Sequence, residues 1–407
     1  MKAHPHSARF RAVSLSILLT GATLFLAPVS SHAQMTCQQV FQTTVAYGQL
    51  RPDFEHNTHY SNEVLFQSDV KDQCNLGTCH LHAWVSSLEH DYKDNHGGNE
   101  IKLSMHYLTA SYWLEQSLKA ISNNDNNIVI DLGSNGFASR DFILRAGLMP
   151  AAAWTPTTSF QEGAKASRLN EALQNIIART KWQRDNEIDP KKKNEIIAEG
   201  QKQVINVFSN FIGKFSDTFE FNGKTYTTQE FASTFFPQLQ KKVVLMAVVA
   251  NPQTKVTNYK NQTFIQTNID QIEKTMREVI DHYQNVFLGY DHKSAYMDAK
   301  TGIMSIAAFE TPEAGLPLSA IQKQYFSIPM SGHAVQVVGY DLDPRTNKVI
   351  KWKIKNSWGT KTGDHGYFHM YDDYFRHFAE QISFNESPQI PLPAANAHDP
   401  QQLQLGF

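Results

Sequence analysis

Apolar residues recur at helical spacing after a Gly-Thr pair: Leu81, Trp84, Val85, Leu88 and Tyr92 share one face of a 3.6-residue helix entered at Gly77 and Thr78. The same period predicts helices over 101–118 and 137–148, the second with Phe142 and Ile143 inward, after an Asn-rich loop at 123–127. Further helices are predicted at 165–182 and 191–215, parted by Asp189-Pro190, and at 269–283. Alternation on either side of Asn222-Gly223 predicts a hairpin over 219–226, and 243–249 reads as a buried strand. Runs at 335–340, 349–355 and 367–370 read as strands of one antiparallel sheet. No internal repeat or low-complexity segment interrupts this order.

The 407 residues suffice for one large or two ordinary domains. A net charge of −2 and 41% hydrophobic residues argue against a nucleic-acid partner and against disorder. Lys191-Lys192-Lys193 sits near acids and reads as a solvated helix face. Lys2, Arg9 and Arg11 precede an apolar run over 12–29 that ends at Ser31-His32-Ala33, so residues 1–33 read as a signal peptide cleaved after Ala33. A single spanning helix is the alternative, because the run approaches membrane-span length. After cleavage no stable membrane span is expected, and the expected location is secreted or periplasmic. Export permits disulfides, and the cysteines are Cys37, Cys74 and Cys79. A Cys37–Cys74 bridge and three free thiols both fit that count.

The run Asp72-Gln73-Cys74-Asn75-Leu76-Gly77-Thr78-Cys79-His80 places a thiol in the first helical turn. There the unpaired N–H groups and the helix dipole favour an anion, so the Cys79 thiol is expected to ionise more easily than a free cysteine. Gln73 can aim N–H donors at the space before the sulfur, as the Cys79 backbone does, which would make an oxyanion hole. His333 opens one late strand and Asn356 closes another. If the two strands pair, the imidazole can face Cys79, Asn356 can fix its tautomer, and Trp358 can shield that bond from water. The candidate catalytic residues are therefore Cys79, His333, Asn356 and Gln73. No cofactor is expected. Residues i and i+2 on a helix do not face each other, so His80-Leu81-His82 is not read as a metal site.

The segment over 70–83, Gly332-His333-Ala334-Val335 and Lys355-Asn356-Ser357-Trp358-Gly359 resemble the papain clan of cysteine peptidases. The bleomycin hydrolase/aminopeptidase C branch is the closer resemblance, covering most of the chain after about residue 65. It extends through Leu103-Ser104, Asp131-Leu132-Gly133-Ser134, Ala146-Gly147-Leu148-Met149-Pro150, Arg168-Leu169-Asn170, Gly339-Tyr340-Asp341-Leu342-Asp343, Gly366-Tyr367-Phe368-His369-Met370 and Asp373-Tyr374-Phe375. The tail, with Leu392-Pro393 and Asp399-Pro400, is similar to the arm that those enzymes place in their own cleft.

This resemblance implies an α+β, papain-like two-lobed fold, a helical lobe carrying Cys79 and an antiparallel β-sheet lobe carrying His333 and Asn356, with substrate between them. It implies a peptidase domain over 66–384, an N-terminal extension at 34–65 too short for a folded inhibitory prosegment, and a C-terminal arm at 385–407. His333 follows Cys79 by 254 positions (333 minus 79), where a papain-type chain has about 130–150. The excess is expected as a mainly helical insertion at about 160–285, which in this branch helps build a homo-oligomer. The implied activity is hydrolysis of peptides or proteins by an aminopeptidase gated by its C-terminal arm. The alternatives are a papain-like endopeptidase and a catalytically weak relative that binds peptides or proteins. His80 departs from the family's Trp, and such a polar ring would loosen the packing under the sulfur or offer a second proton acceptor.

Overall fold

The computed structural model describes residues 48–160, 163–213, 216–250, 253–310, 318–326, 328 and 332–394. The signal segment 1–33, Cys37, and the tail from 395 onward, including Asp399-Pro400, lie outside the described residues.

A short strand β1 (Asn62–Glu63) precedes three helices, α1 (Cys79–Asn95), α2 (Met105–Ser122) and α3 (Gly136–Ala146). Ser104 caps α2 by accepting the Tyr107 N–H, and Asn135 caps α3 by accepting that of Ala138, as short polar residues do at helix starts. Two long helices follow, α4 (Gly163–Asn186) and α5 (Pro190–Ile212). Asp189 is the cap and Pro190 the first residue of α5, a position where the missing proline N–H costs nothing. The hairpin β2 (Thr218–Phe221) and β3 (Lys224–Thr227) turns at Asn222 and Gly223, both with positive φ, as a two-residue hairpin turn requires. Helix α6 (Thr228–Phe235) opens on a capping box made by Thr227 and Glu230.

Next come β4 (Val243–Val248), β5 (Lys255–Asn258), β6 (Gln262–Thr267), α7 (Ile269–Asp281), β7 (Val286–Asp291), β8 (Ile303–Met304) and α8 (Ala320–Tyr325). The chain closes with β9 (Gly332–Leu342), β10 (Val349–Lys355), β11 (Tyr367–Tyr371), α9 (Asp372–Phe378) and β12 (Ala379–Asn385). Among the described residues one ten-stranded sheet runs β5-β6-β4-β12-β7-β9-β10-β11-β8, with β1 also paired to β9. The pairs β7·β9, β9·β10 and β10·β11 are antiparallel, as expected for the strands that carry His333 and Asn356.

Two expectations change. The region 160–285 carries α4 to α7, but between α6 and α7 the strands β4, β5 and β6 extend the sheet, with β6 parallel to β4. The sequence hid β6 because its buried positions are Thr263, Ile265 and Thr267, of which only one is apolar. Helix α1, read as amphipathic, is buried on every side from Cys79 to His90, because β9 covers one face and α2 and α3 the other. Glu89 accepts both the Lys71 ammonium at 2.7 Å and the Leu103 N–H at 2.8 Å, as a buried carboxylate must.

Candidate active site

Three short segments meet at the start of α1. The chain at Asp72 bridges Trp358, the Gln73 N–H donates to the Ser357 carbonyl at 2.8 Å, and the Gly359 N–H donates to Lys71 at 3.0 Å. Gly359 holds φ +75°, which a side chain there would resist. This pairing sets Gln73 beside the end of β10, where Asn356 lies. Cys74 holds φ +54°, its N–H is taken by Asp72 Oδ1 at 2.9 Å, and the residue is disulfide-bonded. Cys79 is free and buried.

His333 and Asn356 are both buried, and the His333 Nε2–H donates to Asn356 Oδ1 at 2.9 Å. The Ser357 N–H donates to the same atom at 2.8 Å, which identifies it as the amide oxygen. An oxygen can only accept, so the imidazole carries its proton on Nε2 and leaves the Nδ1 lone pair free. Trp358 stacks on the ring with centroids 4.6 Å apart and planes 22° apart, covering the His333–Asn356 bond as anticipated.

The backbone N–H of Ala334, next to His333, bonds to Cys79, and those of His80 and Cys79 itself also favour the thiolate. Burial outweighs them and pushes the thiol up, contrary to the expectation from the helix start alone. Burial likewise takes His333 down to about 4, against the opposing bond to Asn356. Burial thus opposes the charged form of each group taken alone.

Gln73 is buried, donates Nε2–H to the Leu76 carbonyl at 2.8 Å and accepts the Ser357 hydroxyl at Oε1. One amide hydrogen is thus committed to the turn.

His80 is wholly buried, with Nε2–H donated to Leu132 O and Nδ1 bonded to the Ser139 hydroxyl, both at 2.8 Å. Tyr112 packs on it edge to face at 5.0 Å, and burial lowers the imidazole to about 4. The ring therefore fills its space and spends both nitrogens away from the sulfur. It neither loosens the packing nor supplies a second proton acceptor.

The sequence also left Tyr290 and His292 unmarked, although both pack against His333 at 5.7 and 5.9 Å. Their only signal was a histidine just past a strand-like run.

Beside Cys74 to Gly77, a groove of about 390 Å³ has an apolar floor of Leu76, Trp113, Ile130, Leu132 and Phe160. Asp131, Gly133 and, from α4, Asn170, Glu171 and Gln174 also line it. A wider cavity of about 620 Å³ lies among the charged side chains of α7 and α9 and holds none of the candidate residues. Among the described residues no group of three or more His, Cys, Asp or Glu could hold a metal ion, and no helix is long and apolar enough to cross a membrane.

The model of the Peptidase C1-like family matches residues 27–405. Aminopeptidase C of Listeria monocytogenes is 22% identical over 396 residues, covering 84% of this chain and 87% of its own length. Aminopeptidase W of Lactobacillus delbrueckii subsp. lactis is 34% identical over 112 residues, and mitochondrial cysteine proteinase 1 of Saccharomyces cerevisiae 30% over 132. The chain spans only 25% and 27% of the length of those two. The crystal structure of PepW from Lactobacillus rhamnosis superposes with a TM-score of 0.65 at 18% identity over 82% of this chain and 83% of its own, a likeness of fold. With its papain-like α+β architecture, the chain belongs to the Peptidase C1-like family of the papain clan, close to the aminopeptidase C and bleomycin hydrolase branch.

Proposed function

We propose that this chain is a cysteine peptidase in which Cys79 is the nucleophile, His333 the base, Asn356 the group that orients it and Gln73 a donor to the oxyanion. The observation that carries this reading is the His333–Asn356 bond of 2.9 Å, because it leaves Nδ1 as an acceptor beside the start of α1. His333 takes the Cys79 proton, and the thiolate attacks the substrate carbonyl carbon. The oxyanion is met by the backbone N–H of Cys79 and the remaining amide hydrogen of Gln73. His333 then returns the proton to the leaving amine, and water, deprotonated by the same imidazole, releases the acyl group. Burial opposes either charge alone, but one proton transfer creates both together, so their attraction offsets it.

Aminopeptidase mode is the form favoured by the relatives named aminopeptidase C and W. Ile390 is buried and Leu392 packs against the sheet's main core, so the tail departs from a fixed anchor. In this reading its continuation occupies one side of the cleft and leaves room only for a free N-terminus. Export is supported by the disulfide at Cys74, since such bonds persist in oxidising compartments.

The test uses matched fluorogenic peptides with free and with blocked N-termini, cut by the whole chain, by Cys79→Ala, and by a form ending at Ala394 that keeps Ile390. Cleavage of free N-termini alone, lost in Cys79→Ala and widened to blocked peptides by truncation, supports the arm-gated aminopeptidase. Blocked peptides cut equally by the whole chain would make it an endopeptidase. No cleavage by any form would favour a peptide-binding relative.

A further inference from the structure

Tyr290 lies directly across from His333 in the β7·β9 ladder, so the two side chains share one face of the sheet. Its ring meets the imidazole at 5.7 Å and 78°, and the charge of a Cys79 thiolate reaches its hydroxyl. Two residues on, His292 sits edge to face with His333 at 5.9 Å and with Trp358 at 5.2 Å. The His333 ring is thus enclosed by the Trp358 face and by the rings of Tyr290 and His292. His292 Nδ1 and the Tyr290 hydroxyl lie 3.3 Å apart, while His292 Nε2 is buried without a hydrogen-bond partner among the described residues.

An unpaired buried nitrogen destabilises a fold, and a phenylalanine at 292 would present a similar ring without that cost. What meets both His333 and Trp358 at this position is the ring itself.

We propose that Tyr290 and His292 form a buried brace that holds the ring plane of His333 and keeps water from it, making both of them positioning residues. The inference rests on the peptidase reading above. The titratable groups around His292 are His333 on β9, Tyr290 on β7, which ends at Asp291, and Lys293. The Lys293 ammonium is paired with Asp291 at 2.9 Å, where Lys323 of α8 also binds at 2.8 Å. The single Asp291 carboxylate balances one of those two ammonium charges, and what the brace itself offers His333 is ring packing and exclusion of water. Opening it admits water beside a ring now held neutral by burial, so His333 would then charge more easily.

The experiment measures two things in the whole chain and in His292→Ala and His292→Phe: the rate at which iodoacetamide alkylates Cys79 as a function of pH, and steady-state hydrolysis of a free-N-terminal peptide. His292→Ala is expected to lower kcat about tenfold with KM within about twofold, as a loosened base does. It should also move the acid-side inflection of the alkylation profile, set by His333, to higher pH. His292→Phe, which keeps the ring, should restore the profile toward wild type and leave the Tm unchanged or higher. Alkylation profiles that superimpose for all three proteins, with only the Tm lowered, would overturn the brace. If the wild type cuts no peptide but its alkylation profile still shifts in His292→Ala, the peptidase reading fails and the brace stands.

Discussion

Gln336 donates its side-chain N–H to the carbonyl of Ala83 across 2.7 Å, tying β9 to α1 three residues past His333 and four past Cys79. Gln336 is 1% exposed, so no water stands in for this donor. Gln336→Leu keeps the volume and loses the tie. It is expected to cost about 1 kcal/mol of stability, the usual net worth of one buried hydrogen bond. It should lower kcat about tenfold by loosening the spacing between thiol and imidazole. Urea unfolding and steady-state kinetics read the two effects separately, and an unchanged kcat would show that the tie does not align the site.

Asn356 accepts two N–H groups on one oxygen, from His333 and Ser357. Asn356→Ala leaves the imidazole free to rotate under Trp358 and strands a buried backbone donor. A fall in kcat of about 10- to 100-fold with little change in KM is expected, since the loss is one of orientation. A rise in KM at constant kcat would instead place Asn356 in substrate binding.

His80 behaves as a core residue made of polar atoms. His80→Ala would leave a cavity and strip the Leu132 carbonyl of its imidazole donor, while the Ser139 hydroxyl keeps Asn135 O, for a loss of about 2–4 kcal/mol. His80→Trp would overpack the same space at a cost of about 1–3 kcal/mol. Denaturant midpoints rank the three proteins, and a stable His80→Trp would show that the space can expand.

The legibility of this chain divides along a physical line. Residues whose pattern is local were readable: the start of α1 at Cys79, the Asn222-Gly223 turn, the Asp189-Pro190 entry to α5, and the strands bearing His333 and Asn356. What depended on contacts between distant segments was not. The all-round burial of α1 comes from β9 and α3, the polar strand β6 is inward only because β4 pairs with it, and the paired nitrogens of His80 need Leu132 and Ser139. For the same reason the thiol shift was misjudged in sign. The helix start is a local feature, and the burial that outweighs it is not.

Stability should fall in mild acid. Burial holds His80 and His333 near 4, and His82 and His369 near 3, against 6.5 for each when exposed. The unfolded chain therefore binds protons between about pH 6.5 and those lower values while the native state does not. The resulting stability is fully present above pH 6.5 and is lost as pH falls toward 4. At pH 5 one such histidine accounts for roughly 1–2 kcal/mol. Thermal melts from pH 7.5 to 4.5 should show a progressive drop in Tm, and His369→Gln should flatten it. A Tm that is constant across that range would contradict the burial of neutral imidazoles.

The most direct measurement traps the covalent step. The whole chain is mixed with a peptide ester bearing a free N-terminus, quenched in acid within the first turnover, and its peptides weighed. The account predicts one acyl group, carried on Cys79 and absent from Cys79→Ala, with Asn356→Ala accumulating it more slowly. Hydrolysis that persists in Cys79→Ala, or an acyl group found on any other residue, would contradict the assignment of Cys79 as nucleophile.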